Sequence, residues 1–380
     1  MKKTYLLAPG PTPVPPEALT AMAMPIIHHR SPDFIPILES AKNGLKWLFQ
    51  TDNDVLILAS TGTGGMVGAV NNFLSPGDKA VVVRGGKFGE RWSEICEAFG
   101  VLPINIDVEW GYAVKPSQVE AELKKDPSIK AVLIQASETS TGVLHPTKEI
   151  GEIVKKYPNC LFIVDAITAM GVIDMPVDKW GIDVCITGSQ KALMLPPGLA
   201  FVSVSDKAWK AGESAKCNHF YFNFKKERKN LEKNQTNFTT ASSLVVGLNS
   251  ALSMMKAEGL ENIFKRHERL ANATQAAVKA MGLKLYAKES PSLALTAVEV
   301  PEGIDGGKLT KIMRDKYGVT VAGGQAQLKG KIFRIAHLGY FNTFDIIIGI
   351  SCAEMALKEM GANITLGKGV AAAEEILMKF

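Results

Sequence analysis

Two side chains that can do chemistry stand where two apolar runs end near the middle of the chain. The run LFIV ends at Asp165, and the run IDVCIT leads through a short polar turn to Lys191. A lysine amine forms a Schiff base with a carbonyl cofactor, and a carboxylate keeps a pyridine nitrogen protonated so that the ring accepts electrons. The pair predicts this chemistry if both side chains face one ligand. Two simpler explanations stay open: Asp165 caps the following helix, and Lys191 lies on a solvated turn.

The runs that precede these two side chains have the pattern of buried parallel strands. Both runs are short, apolar and rich in β-branched residues, which is typical of strands covered on both faces. In an open α/β sheet the carboxyl ends of the strands form the ligand crevice. The sequence therefore predicts that Asp165 and Lys191 meet at one edge of a sheet.

A glycine-rich turn follows a third apolar run. The run VLILAS leads into TGTGG at residues 61–65 and then into a helical pattern. Glycine lets backbone N–H groups approach a ligand closely, and a helix N-terminus carries partial positive charge, so the turn predicts a phosphate cradle. It has neither the lysine of a P-loop nor the spacing of the dinucleotide fingerprint. A plain tight turn between strand and helix is the alternative.

Three further side chains are candidates for ligand contacts. Phe88 and Thr139 fall just past predicted strand ends. Phe88 is predicted either to stack on a planar ring or to pack under a loop. Thr139 is predicted either to donate a hydrogen bond to a ligand oxygen or to cap a turn. Arg334 lies within the apolar strand pattern KIFRIAHLG, where a guanidinium is costly unless it is paired. Its planar fork suits a substrate carboxylate, and an ion pair within the chain is the alternative.

The histidines of the segment IIHHRSPDF form a separate candidate. His28, His29 and Arg30 stand side by side, and this group predicts either an anion-binding site or a surface loop.

Alternating strand and helix patterns predict an α/β fold with a mostly parallel, doubly wound sheet. Residues 1–16 hold five prolines and a glycine, which predicts an extended N-terminal arm. Residues 17–257 form the predicted large cofactor-binding domain, and residues 258–380 a smaller C-terminal α+β domain. A long helical region over about 242–282 connects the two, and the polar and aromatic stretch 210–238 is predicted to reach a partner subunit.

Composition favours a globular protein of the cytoplasm. The 380 residues are 46% hydrophobic and 21% charged, and the net charge of +5 is spread along the chain. The densest basic run, KKERKNLEK, is interrupted by acids and predicts a solvated face rather than a nucleic-acid site. We expect no membrane span, because no segment has about 20 apolar residues, and no signal peptide. The five cysteines are scattered without metal-ligand spacing, which predicts reduced thiols and no metal site.

Six segments carry a resemblance to a known family over nearly the whole chain: LLAPGPTPVPP, TGTGG, ETSTGV, FIVDAITA, GSQKALMLPPG and KIFRIAHLG. With them the sequence resembles the class V aminotransferases of pyridoxal phosphate (PLP) fold type I, closest to the alanine–glyoxylate and serine–pyruvate (or serine–glyoxylate) group. The resemblance implies a PLP-dependent transaminase that moves an amino group from a small amino acid (alanine or serine) to a small 2-oxo acid (glyoxylate or pyruvate) by a ping-pong mechanism. It also implies a homodimer with shared active sites.

Carried over position by position, the resemblance implies a role for each candidate. Lys191 is expected to be the Schiff-base lysine and proton shuttle, and Asp165 to pair with the pyridine nitrogen. Arg334 is expected to clamp the substrate carboxylate, helped by the arm near Gly10. The other expected cofactor contacts are Thr63, Gly64, Gly65, Phe88, Thr139, Ile167 and Gln190, with Asn237 and Thr240 supplied to the partner's phosphate. Relatives often have tryptophan at the position of Phe88 and tyrosine at that of Asn237.

Other activities remain as alternatives. A desulfurase or lyase that uses the same cofactor is one alternative. A desulfurase needs a nucleophilic cysteine on a mobile loop, whereas Cys352 lies in a helical pattern. A 2-aminoethylphosphonate transaminase needs additional basic groups, which His29 and Arg30 could supply. A non-catalytic subunit of the kind labelled soluble hydrogenase small subunit is the alternative from another class, although the sequence has no CxxC pair and no haem motif.

Overall fold

The computed structural model describes residues 3–379, which form fourteen strands and fourteen α-helices within that range. The strands are β1 (Tyr5–Leu6), β2 (Asp54–Ser60), β3 (Lys79–Arg84), β4 (Leu102–Asp107), β5 (Ala131–Gln135), β6 (Ser137–Glu138), β7 (Val143–Leu144), β8 (Leu161–Asp165), β9 (Val184–Gly188), β10 (Gly198–Val204), β11 (Leu295–Glu299), β12 (Val319–Thr320), β13 (Ala322–Gly323) and β14 (Ile332–Ala336). The helices are α1 (Pro16–Ala23), α2 (Phe34–Phe49), α3 (Gly62–Phe73), α4 (Lys87–Ala98), α5 (Pro116–Lys125), α6 (Thr147–Val154), α7 (Val177–Trp180), α8 (Asp206–Gly212), α9 (Phe224–Leu231), α10 (Ser242–Glu258), α11 (Leu260–Ala280), α12 (Gly306–Asp315), α13 (Thr343–Glu359) and α14 (Lys368–Leu377).

A seven-stranded sheet organises the larger part of the molecule. Its strand order is β2-β10-β9-β8-β5-β3-β4, and only β10 runs antiparallel to its two neighbours. Strands β5, β8 and β9 are buried at every residue, because helices cover both faces of the sheet. The mostly parallel, doubly wound α/β sheet expected from the sequence is confirmed.

Strand order brings distant parts of the chain to one edge of this sheet. Strand β8 ends at Asp165, and its neighbours β5 and β9 end beside it, with Asp165 paired in register with Gln135 and Ile186. Strands β2 and β3 end at the same edge and lead directly to helices α3 and α4. The carboxyl ends of five strands therefore surround one crevice, as expected for an open α/β sheet.

A second, smaller apolar core belongs to the C-terminal part of the chain. The three-stranded antiparallel sheet β11-β14-β13 packs with helices α11 to α14. Leu7 from the N-terminal arm also contributes to this core. The mixed α+β character expected here is present, whereas the domain boundary between residues 257 and 258 stays a prediction.

The helical region predicted over 242–282 is two helices rather than one. Helix α10 ends at Glu258 and α11 begins at Leu260, because Gly259 between them has a φ of +84°, outside helical geometry. The sequence prediction also missed the last helix, α14, which packs against α11 and α13.

The N-terminal arm is extended, as its prolines predict. Strand β1 adds parallel to β12 in the smaller part of the molecule. Farther along the arm, the N–H of Thr12 donates to the carbonyl of Gln190 at 3.1 Å, and its hydroxyl donates to the carbonyl of Lys191 at 2.8 Å. The arm therefore touches both parts of the molecule and crosses the turn that follows β9.

Candidate active site

A cavity of about 220 Å³ lies at the carboxyl edge of the large sheet. Every strand end described above contributes a wall of it, so the lining comes from five separate stretches of the chain. The lining residues are Thr61, Gly62, Thr63, Phe88, Arg91, Ser137, Thr139, Asp165, Ile167, Thr168, Gln190 and Lys191. Seven residues predicted to contact the cofactor are among them: Thr63, Phe88, Thr139, Asp165, Ile167, Gln190 and Lys191.

Asp165 lies at the end of the buried strand β8 and faces this cavity. One of its carboxylate oxygens, Oδ1, accepts a hydrogen bond from the N–H of Ile167 at 2.8 Å. Burial raises the pKa of the carboxyl to about 7, against the opposing effect of that hydrogen bond. Local capping and a ligand role are therefore compatible, since Asp165 caps the turn and also lines the cavity.

Lys191 follows β9 and lines the same cavity rather than lying on a solvated turn. Its ammonium Nζ donates to the carbonyl of Pro9 in the arm. Burial lowers the pKa of the amine to about 8, although the Asp165 carboxylate acts in the opposite direction. A buried amine with a lowered pKa is a stronger nucleophile at neutral pH than an exposed lysine.

The N-terminus of helix α3 forms another wall of the cavity. Thr61 occupies the N-cap position, but its side chain makes no capping hydrogen bond to the helix. The first N–H groups of a helix are free to bind an anion when no side chain caps them. Gly62 and Thr63 line the cavity, whereas Gly64 and Gly65, which were also predicted to contact the cofactor, are not among its lining residues. A Cβ on Gly65 would come within 2.7 Å of Ile186, so this glycine lets helix and sheet pack closely.

Arg334 is buried beside the cavity with only 4% of its surface exposed. Its Nε and Nη2 donate to the carbonyl of Gly323 at 3.1 and 2.6 Å, and Nη1 donates to the carbonyl of Thr139 at 2.9 Å. Burial lowers the pKa of the guanidinium to about 10. Within residues 3–379 Arg334 forms no ion pair, so the alternative of an internal salt bridge is not what the structure contains.

The remaining predicted residues fall in two groups. Gly10 touches the site from the arm, because a Cβ at this position would lie 2.1 Å from Nζ of Lys191. Asn237 and Thr240 do not line the cavity of their own chain. The group His28 to Arg30 lies on the surface, where Arg30 donates to the side chain of Gln235 at 3.1 Å.

Several residues of the site were not predicted from the sequence. Arg91 lies on the cavity wall, where Nη1 donates to Thr63 Oγ1 at 3.2 Å and the guanidinium lies over the ring of Phe88. The hydroxyls of Thr139 and Thr168 share a hydrogen bond at 2.8 Å. Helical spacing of three residues from Phe88 could have indicated Arg91, whereas nothing local points to Thr168.

The family model described as aminotransferase class V matches residues 4–340 of this chain. The chain belongs to the class V aminotransferases. The family and the fold type I expected from the sequence are thereby confirmed, and so is its status as an enzyme that depends on PLP.

Three curated proteins that are similar to this chain carry different names. A protein of Synechococcus sp. named soluble hydrogenase, small subunit, is 47% identical over 99% of this chain and 98% of its own. The L-aspartate–glyoxylate aminotransferase of Paracoccus denitrificans is 39% identical over 97% of this chain and 95% of its own. The serine–glyoxylate aminotransferase of Hyphomicrobium methylovorum is 38% identical over 99% and 95%.

A solved aminotransferase structure superimposes on nearly the whole chain. The ureidoglycine–glyoxylate aminotransferase of Bacillus subtilis gives a TM-score of 0.95 at 30% identity and covers 99% of this chain and 98% of its own. No helix in the described range is both long and apolar enough to span a membrane. The same range contains no cluster of three or more His, Cys, Asp or Glu residues that could hold a metal ion.

The residues of the cavity fit PLP. The amine of Lys191 suits the aldehyde of PLP, and the carboxyl of Asp165 suits its pyridine nitrogen. The uncapped N-terminus of helix α3, which lines the same cavity, suits its phosphate. The space of about 220 Å³ is below the roughly 300 Å³ of sites for drug-sized ligands, which suits a single-ring cofactor.

Proposed function

We propose that this class V aminotransferase moves an amino group from a small amino acid, alanine or serine, to glyoxylate or pyruvate in two ping-pong half-reactions. The observation that carries the proposal is that Lys191 and Asp165 line one cavity beside the guanidinium of Arg334, which has no carboxylate partner among residues 3–379. Bound PLP supplies an electron-accepting ring on which the α-carbon of an amino acid becomes acidic.

Lys191 is the proton carrier in this proposal. Its Nζ has a pKa of about 8, so the neutral amine is well populated at neutral to mildly basic pH and can remove a proton from the donor's α-carbon. The carbonyl of Pro9 holds this amine on the arm side of the cavity. Asp165 would hold the protonated pyridine nitrogen of PLP, and the paired charge would keep the buried carboxylate ionised.

Arg334 is the proposed binding group for the substrate carboxylate. A guanidinium has five N–H groups, and the carbonyls of Gly323 and Thr139 take three of them. The two that remain, one on each terminal nitrogen, match the two oxygens of a carboxylate. Backbone carbonyls fix the plane of the guanidinium without neutralising its charge, which leaves that charge for the substrate.

The names of similar proteins support glyoxylate as the acceptor of the amino group but do not agree on one amino donor. Glyoxylate occurs in the names of the Paracoccus, Hyphomicrobium and Bacillus proteins, whose donors are aspartate, serine and ureidoglycine. The second cation on the cavity wall, Arg91, favours testing donors that carry a further acidic group, including aspartate and 2-aminoethylphosphonate.

A homodimer with shared sites is part of the proposal. The side-chain atoms Asn237 Nδ2 and Thr240 Oγ1 are buried without a hydrogen-bond partner among the described residues. The neighbouring side chain of Phe220 is 76% exposed, and it lies in the polar and aromatic stretch predicted to reach a partner. A second chain would cover this apolar surface and bring an acceptor to the unpaired groups.

The proposed compartment is the cytoplasm. All five cysteines are free thiols and are buried, and burial raises the pKa of Cys96, Cys160 and Cys352 to about 12. Thiols in this state fit a reducing environment.

The test is a half-reaction screen with the PLP-loaded protein. Alanine, serine, glycine, aspartate and 2-aminoethylphosphonate are added singly, and the cofactor absorbance is followed without an acceptor. We expect alanine or serine to convert the spectrum fastest, and glyoxylate or pyruvate to restore it. Lys191→Ala should abolish the absorbance of the lysine-linked cofactor and nearly all turnover. A variant that retained the wild-type transaminase rate would refute the role of Lys191, and a screen without any conversion would refute the proposed function.

A further inference from the structure

The N-terminus of helix α4, which carries Phe88, is held by Glu138 of strand β6 and by Ser140 in the turn that follows it. The N-cap residue of α4 is Gly86, which has no side chain to accept a hydrogen bond. The N–H of Lys87 instead donates to Ser140 Oγ at 2.9 Å, and the N–H of Gly89 donates to Glu138 Oε2 at 2.9 Å. A longer contact of 3.3 Å joins the N–H of Phe88 to Glu138 Oε1. Side chains distant in the sequence therefore replace a local cap.

Glu138 is itself fully buried and held in one orientation. Its Oε1 accepts hydrogen bonds from both the N–H and the hydroxyl of Ser140. A Cβ at Gly86 would come within 2.4 Å of the Glu138 carboxyl carbon, so glycine at this position leaves space for the carboxylate against the helix end. An anionic side chain at a helix N-terminus also interacts favourably with the helix dipole. Burial raises the pKa of Glu138, and the four donated hydrogen bonds oppose that shift.

The turn that begins with Glu138 is connected to the rest of the cavity. The carbonyl of the next residue, Thr139, accepts a hydrogen bond from Arg334, and the Thr139 hydroxyl contacts that of Thr168. Phe88, whose N–H contacts Glu138, lines the same cavity as Thr139. The position of Phe88 relative to the other walls therefore depends on how firmly Glu138 holds the first turn of α4.

We propose that Glu138 is a positioning residue that fixes Phe88 over the PLP ring by capping helix α4 from another strand. The proposal rests on the proposed function, since Phe88 stacks on the ring only if PLP occupies this cavity. Glu138 touches neither cofactor nor substrate in this role, and it acts through the backbone N–H groups of Phe88 and Gly89.

A double-mutant cycle on the PLP-bound protein tests the proposal. Glu138→Gln keeps the shape of the side chain but presents an N–H group to the helix end, so we expect PLP to bind roughly three- to tenfold more weakly. The visible circular dichroism of the bound cofactor should change as the ring tilts. In a Phe88→Leu background the same Glu138→Gln change should have no further effect on either quantity.

Additive effects in the cycle would overturn the proposal, because they would show that Glu138 acts through its charge on the site and not through Phe88. Ser140→Ala leaves the Glu138 carboxylate in place but removes the hydroxyl that accepts from Lys87 and donates to Glu138. It provides a milder second variant if Glu138→Gln fails to fold.

A matched control separates positioning from general loss of stability. Asp305 caps helix α12 through a hydrogen bond from Lys308 at 2.9 Å and does not line the cavity. Asp305→Ala should lower the melting temperature and leave PLP affinity and circular dichroism unchanged. A wild-type chain that fails to bind PLP would overturn the proposed function. If the wild-type chain binds PLP and the Glu138→Gln variant has the same PLP affinity and circular dichroism, only the proposed role of Glu138 is overturned.

Discussion

At the scale of single residues, the site contains an acid and an amine that burial pushes toward their neutral forms. The pKa of Asp165 rises to about 7 and that of Lys191 falls to about 8. Desolvation is the main cause of both shifts, because a cavity wall solvates charge less well than water does. Burial therefore brings the amine of Lys191 close to the pH at which it can act as a base, whereas the carboxylate of Asp165 needs a paired cation to stay ionised.

The first residue-scale prediction concerns the pH dependence of PLP capture by the cofactor-free protein. Only the neutral amine of Lys191 attacks an aldehyde, so the capture rate should rise about tenfold per pH unit below 8 and level off above it. Stopped-flow absorbance on both sides of pH 8 measures this profile.

Asp165→Asn serves as the comparison for that profile. The carboxylate of Asp165 raises the pKa of Lys191, so its removal should move the midpoint to lower pH. A rate that still climbs at about pH 10, as for an ordinary lysine, would contradict the assignment.

At the scale of elements, the N-terminal arm connects the reactive lysine with the smaller core. Strand β1 pairs with β12, and the arm contacts Lys191 through both Pro9 and Thr12. Gly10 has a φ of +140° and lies against the lysine amine. A side chain at this position would occupy the space of the amine, so the arm requires glycine here for two reasons.

We expect Gly10→Ala to weaken PLP binding at least roughly tenfold, because its methyl group displaces Nζ of Lys191. Gly303→Ala is the matched control, since Gly303 also has a positive φ (+79°), but a Cβ added there would have no described atom within 4 Å. That control should cost about 1 kcal/mol of stability and leave PLP affinity unchanged. Equal PLP affinity in both variants would show that the arm does not constrain the lysine.

At the scale of the whole molecule, the surface near Asn237 and Thr240 belongs to the proposed dimer. The rings of Tyr221 and Phe238 stack at a centroid distance of 5.1 Å, and Tyr221 remains 48% exposed. Phe222 of the same stretch reaches the space in front of Gly64 on helix α3. The aromatic surface therefore borders the helix whose N-terminus is the proposed phosphate site.

Mixed dimers of a Lys191→Ala chain and a Thr240→Val chain test whether the sites are shared. In the Thr240→Val homodimer we expect PLP to bind roughly three- to tenfold more weakly, because one phosphate hydrogen bond is lost. In the mixed dimer the only intact Lys191 belongs to the Thr240→Val chain. If the partner supplies Thr240, that site is wild-type and regains full affinity.

The measurement uses two affinity tags to isolate the mixed dimer, followed by titration with PLP. Affinity that stays as weak as in the Thr240→Val homodimer would place Thr240 in the site of its own chain. A monomer in sedimentation analysis would refute the dimer itself.

Much of the site was predictable because its residues stand at strand ends. Asp165, Lys191 and Thr63 each follow an apolar run, and the rule that parallel strands end at one edge brings them together. The mostly parallel sheet was predictable because strand and helix patterns alternate along the chain. The break at Gly259 was not, since an isolated glycine is often tolerated within a helix.

Glu138 and Arg91 escaped prediction because their roles depend on contacts across the fold. Glu138 caps a helix that begins far earlier in the chain, and no local pattern records that contact. The cap forms only in the folded chain, where strand β6 lies beside the start of helix α4.

The sequence by itself determined which side chains stand at the ends of the strands, because hydrophobic periodicity is a local property. Only the tertiary structure decided how those side chains behave. The pKa values of Asp165 and Lys191 follow from burial, and the contact of Pro9 with Lys191 joins residues 182 positions apart. Desolvation and long-range contacts exist only once the chain has folded, which is the physical reason that the sequence could not reveal them.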